Sequence, residues 1–99
     1  MRAEILKFPS SLTVYEVQQY ASDWQAISVR QPEKLELDLS DLQELDAAGY
    51  QLVLSLLKGL PNPELTVRAG SDSHLIAAWL ADQLSAQGYS LGGMHAQSD

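Results

Sequence analysis

Two short segments in which apolar and polar residues alternate strictly, separated by one helical stripe, constrain this chain more than anything else in it. In Lys34-Leu35-Glu36-Leu37-Asp38-Leu39 the three leucines share one side of an extended backbone and the three charges share the other. The same pattern returns in Leu65-Thr66-Val67-Arg68-Ala69. Between them Gly49, Leu52, Val53, Leu56, Leu57 and Leu60 step at helical spacing until Pro61-Asn62-Pro63, where prolines without a backbone N–H stop the helix. Strand, helix and strand in that order require a crossover, which predicts a mainly parallel sheet built from right-handed units. Fully wrapped parallel strands read as unbroken apolar runs, so the alternation places the helices on one face only.

The flanking segments extend this scheme. Glu4 to Phe8 is predicted as a short edge strand, broken by Pro9-Ser10-Ser11. Thr13-Val14-Tyr15-Glu16 matches a Ser/Thr-x-x-Glu capping box, and Val14, Val17, Tyr20, Ala21, Trp24 and Ile27 form one stripe of a helix running to about Ile27. A loop surrounds Pro32. A last helix, capped by Ser71 or Asp72, is expected to turn Leu75, Ile76, Trp79, Leu80 and Leu84 inward and to end at a left-handed Gly88. Residues 1–90 are thus expected to form a single α/β domain with about four mainly parallel or mixed strands and helices packed on one face. Residues 91–99, with little to bury, are expected to be a frayed tail.

Composition narrows the chemistry. The 99 residues, 45% hydrophobic and 19% charged, suit one globular core. A net charge of −7 with only six Lys and Arg argues against nucleic acid and against an anionic membrane surface, leaving solubility or a basic protein surface as its use. Without cysteine there is no disulfide, thiolate metal site or cysteine nucleophile. Met1 to Lys7 lacks the apolar run of about seven residues of a signal peptide, and no later run nears the roughly 18 of a membrane span, so a cytoplasmic address without membrane insertion is expected. His74, read as a first-turn surface residue, and His95, in the tail, are far apart with no third ligand, so no metal site is expected. Neither a Gly-x-Ser-x-Gly elbow nor a phosphate-binding glycine loop occurs, so no catalytic residue and no cofactor are assigned. Asp38/Asp41 and Glu44/Asp46 read as a solvated edge, and Trp24 and Trp79 as core.

The run Leu35-Glu-Leu-Asp-Leu-Ser40-Asp41-Leu42-Gln-Glu-Leu45-Asp46-Ala47-Ala48-Gly49-Tyr50-Gln51-Leu52 carries more information. Asp46 stands where an N-cap would, able to accept the N–H of Ala48 or Gly49 and to complement the positive end of the helix dipole. The small residues Ala47, Ala48 and Gly49 either leave the backbone open to a partner or allow close helix–strand packing.

The run also resembles the STAS domain, of the anti-sigma factor antagonist type: an apolar strand closing in Asp38-Leu39-Ser40, a second apolar pair at Leu42 and Leu45, then Asp46-Ala47-Ala48-Gly49 and an amphipathic helix. The similarity is close from Leu35 to Leu60 and extends in element order from Glu4 to Gly88. It implies a bacterial, non-enzymatic signal-transduction module that docks a regulatory protein. Its partners would be a serine kinase acting as an anti-sigma factor or a chemotaxis component. An accessory subunit of a lipid-type ABC transporter, or a small-molecule or lipid-binding domain, is the alternative. The implied docking residues are Asp38, Ser40, Asp41, Asp46, Ala47, Ala48, Gly49, Tyr50 and Gln51.

Phospho-switched members carry a hydroxyl directly after the Asp, where phosphate adds about −1.5 to −2 charges. Ala47 occupies that position, so the module is expected to stay in a form resembling the unphosphorylated one. Tyr50 replaces a residue that is mostly aliphatic in the family. It is expected to be either an exposed anchor or a partly buried ring with a wet hydroxyl. Gly49→Arg is expected to abolish partner capture and leave the fold largely intact.

Overall fold

Alternation and burial agree residue by residue in the central strands. The computed structural model describes residues 2–96. Strand β3 (Lys34–Leu39) buries Leu35, Leu37 and Leu39, and β5 (Glu64–Ala69) buries Leu65, Val67 and Ala69. Helix α2 (Ala47–Lys58) connects them, and the two strands pair in parallel with Leu35 beside Leu65 and Leu37 beside Val67. Strand β1 (Ala3–Lys7) pairs in parallel on the other side of β3, with Leu6 beside Leu37. Helix α1 (Val17–Arg30) makes the β1-to-β3 crossover. The fold is α/β, with three helices and a four-stranded sheet among the described residues.

The leucine side of the sheet meets the helices, where Trp24 of α1 and Val53, Leu56 and Leu57 of α2 are buried. Its other side carries Ile5, Lys7, Glu36, Asp38, Thr66 and Arg68, laced by ion pairs from Lys7 to Asp38 (3.6 Å) and from Arg68 to Glu36 (3.2 Å). Such exposed pairs contribute little stability, so the apolar layer on the opposite side holds the sheet.

The capping box forms in part. Glu16 accepts the N–H of Thr13 at 3.0 Å and its hydroxyl at 2.7 Å, which is the reciprocal arm of the motif. The helix proper starts only at Val17 and continues past Ile27 to Arg30. Val14 therefore lies outside the helix and is 60% exposed, not on the buried stripe.

At the other end of the chain the expected frayed tail is replaced by a strand. β6 (Leu91–Ala96) pairs in parallel with β5, completing the order β1-β3-β5-β6. The free edge of β5 offers a row of unpaired N–H and C=O groups, and satisfying them outweighs the poor strand propensity of Gly92-Gly93. The backbone of His95 belongs to this strand, whereas residues 97–99 of the expected tail lie outside the described residues.

Helix α3 (His74–Ala86) leads into β6 through Gly88, whose φ of 93° is the expected left-handed stop. Tyr89 N–H bonds Leu84 C=O at 3.0 Å and Gly88 N–H bonds Ser85 C=O at 3.0 Å, the paired closure of a Schellman motif. Two expectations for α3 fail. Neither Ser71 nor Asp72 caps it: the helix starts after Ser73, whose buried hydroxyl oxygen instead accepts Gly70 N–H at 2.8 Å. The helix buries Ala77, Leu80 and Leu84, and leaves Leu75 74% and Trp79 45% exposed where both were expected inward. No helix among the described residues is long and apolar enough to cross a membrane.

Candidate functional site

In open parallel sheets ligands collect beyond the carboxyl ends of the strands, where loops and helix starts converge. Here the ends of β3 and β5 and the starts of α2 and α3 meet at that edge. A close approach fixes them: a Cβ on Gly70, just past β5, would lie 2.5 Å from Ser40 C=O, just past β3.

Asp46 organises the layer above. Its backbone is extended and Oδ1 accepts Gly49 N–H at 3.0 Å, the expected N-cap. Its second oxygen, Oδ2, accepts the N–H of Val14 at 3.0 Å, a contact the sequence reading did not contain. One carboxylate thus ties the start of α2 to the loop that precedes α1. The tie depends on two short strands, β2 (Ser11–Leu12) and β4 (Glu44–Leu45), which pair in parallel with Leu12 beside Leu45 and bring the loop alongside. Too short to show alternation, they left no sequence signal beyond the apolar Leu12, Leu42 and Leu45.

The expected docking residues fall into two groups. Asp38, Ser40 and Asp41 gather around Lys7 on the solvent side of the sheet. Asp38 Oδ1 accepts the Ser40 N–H (3.0 Å) and hydroxyl (2.7 Å), and the Lys7 ammonium lies 3.0 Å from Asp41 Oδ2. The carboxylates read as a solvated edge therefore include a lysine-bridged cluster. Asp46, Ala47, Ala48, Gly49, Tyr50 and Gln51 lie at the start of α2. There Ala47 and Gln51 are exposed, and Ala48 borders a shallow groove shared with Val17 and Ala21 of α1.

Gly49 reverses the expectation of an open backbone. It is buried, and a Cβ there would stand 2.1 Å from Leu12 C=O and 2.8 Å from Leu45 Cδ1. Its missing side chain serves the packing of α2 on β2 and β4, not the approach of a partner, so Gly49→Arg would not spare the fold.

Tyr50 is partly buried, with its ring edge-on to Trp79 at 5.3 Å, and its hydroxyl is buried without a protein partner among the described residues. Trp24 is core as expected, 5.0 Å from the Phe8 ring. Trp79, read as core, instead joins Leu45, Leu75 and Ile76 around a surface concavity of about 250 Å³. The signal available for it was an apolar arc on α3 wider than one sheet-facing stripe can bury. His74 is exposed, with Nδ1 2.9 Å from Ser71 C=O, and no metal-binding group of three or more His, Cys, Asp or Glu occurs among the described residues.

Carboxylates at both ends of the sheet set the response to acid. The Asp46 carboxyl is held below its ordinary value by the Gly49 N–H first and the Val14 N–H second. Glu16 is lowered mainly by the Thr13 hydroxyl and N–H, and Glu4 mainly by the Arg30 guanidinium. Burial alone would raise Asp38, but the Ser40 hydrogen bonds and the charges of Lys7 and Arg68 bring it down. A depressed carboxyl contributes stability above its unfolded value and loses it as pH falls through the folded one. Melting followed by circular dichroism should therefore give a midpoint that is flat above about pH 5 and falls progressively below about pH 4. A midpoint that rises below pH 4 would contradict these contacts.

No family model, no curated protein and no solved structure matches this chain.

Proposed function

We propose that the chain is a non-enzymatic, cytoplasmic regulatory module that docks a signalling protein, of the kind to which a serine kinase belongs, through the Ser40–Gln51 face. One observation carries this reading: the start of α2 stands exposed at Ala47 and Gln51 while the Asp46 carboxylate lashes it to the loop bearing Val14 and the 89% exposed Tyr15. A surface held rigid before contact loses less entropy on docking than a flexible one. The STAS-like run from Leu35 to Leu60 supports the same face.

Ala47 removes the hydroxyl at the position where phosphate would act, and Ser40 engages its own hydroxyl on Asp38. The module is therefore permanently competent. Incubating the purified chain with ATP and extract of its host, then weighing it intact, should show no stoichiometric phosphate increment. A full increment on Ser40, Ser55 or another hydroxyl would overturn permanent competence.

A further inference from the structure

The concavity formed by Leu45, Leu75, Ile76 and Trp79 lies outside the Ser40–Gln51 face except at Leu45. It is apolar and preformed, because Trp79 rests edge-on against Tyr50 instead of swinging free. Its surroundings are of one sign. Asp72 lies three residues before Leu75, Asp82 stands one turn beyond Trp79 on α3, and both are exposed, whereas Glu44 turns to the other face of β4, toward the Ser11 hydroxyl. No Lys or Arg occurs from Asp41 to Leu57 or from Ala69 to Asp99. Lys7, Arg30, Lys34 and Arg68 are each drawn to carboxylates elsewhere, on or near β1, β3 and β5.

We infer that this concavity is a docking site for a basic amphipathic helix of a partner protein. The helix would insert apolar side chains one turn apart beside Trp79 and set lysines or arginines against Asp72 and Asp82. Apolar anchors on one stripe of a helix suit a concavity between two elements, and an aromatic residue at its centre is the usual energetic anchor. A second copy of this chain fits less well, because a two-fold contact would face each acidic rim with its own image. An anionic lipid surface meets the same repulsion. The inference rests on reading the chain as a docking module and names the chemistry of what it docks.

Trp79 is its own reporter. The intact protein is titrated with a roughly 18-residue Leu/Lys peptide patterned at helical period, alongside a scrambled peptide of the same composition and a Leu/Glu counterpart. The patterned Leu/Lys peptide should shift the tryptophan emission to the blue and saturate, and the other two should not. The shift should vanish in Trp79→Phe. Binding should weaken at least tenfold in Leu75→Lys, whose exposed position leaves the fold intact, and should survive in Ala47→Arg. That last contrast separates this concavity from the Ser40–Gln51 face, so either can fail alone. No shift, or an equal shift with the scrambled peptide, overturns the proposal. So does a shift with phosphatidylcholine vesicles but not with the peptide, or self-association abolished by Leu75→Lys.

Discussion

Gly49→Ala is expected to cost about 3 kcal/mol, which for a domain of this size lowers the melting temperature by roughly 15 °C. The added carbon would stand 2.1 Å from the carbonyl oxygen of Leu12. A backbone oxygen cannot rotate aside as a side chain can, so α2 must lift from β2 and β4. Lifting it also pulls Asp46 off its bonds to Gly49 and Val14, so one methyl group loosens both the packing and the tie above it. Gly88 is the internal control. Its φ of 93° penalises any Cβ, yet nothing lies within 4 Å of the position an added carbon would take. Gly88→Ala should cost only the left-handed strain, about 1–2 kcal/mol. Paired thermal melts decide the matter: a Gly49→Ala midpoint no lower than that of Gly88→Ala would refute the close approach.

Gly49 also shows where sequence and structure part company. Its place on the helical stripe was legible, and so was the helix around it, because period decides both. The reason for a glycine there was not legible, since it depends on Leu12, 37 residues earlier, arriving through a pairing of two-residue strands. The same limit governs Asp46. Its cap to Gly49 is local and readable from residue type. Its second bond, to Val14, exists only because β2 and β4 bring distant segments together.

β3 and β5 could be read because each buries one whole face, whereas β6 could not, because two glycines conceal a strand that is held by the free edge of its neighbour. On α3 five apolar residues spread over more arc than a sheet can cover, and the sequence alone did not say which would be left out. The two left most exposed, Leu75 and Trp79, line the concavity. On α3, then, the residues whose outward facing was illegible are the ones that line the surface concavity.

Ala47→Arg should separate folding from docking. Ala47 is exposed at the first position of α2, with no core contact to lose, so its replacement should change stability by within about 0.5 kcal/mol. The side chain would nevertheless project from the middle of the proposed face, where its bulk blocks close approach. Capture of the host partner by the tagged chain should fall at least tenfold, the change that about 1.4 kcal/mol of binding free energy produces. Ala47→Ser, which adds one hydroxyl and no charge, should capture as the parent does. The parent, the serine variant and the arginine variant should melt together while only the last loses its partner. Undiminished capture by a stably folded Ala47→Arg chain would remove the start of α2 from the docking surface, because an arginine at its centre could not be accommodated without cost.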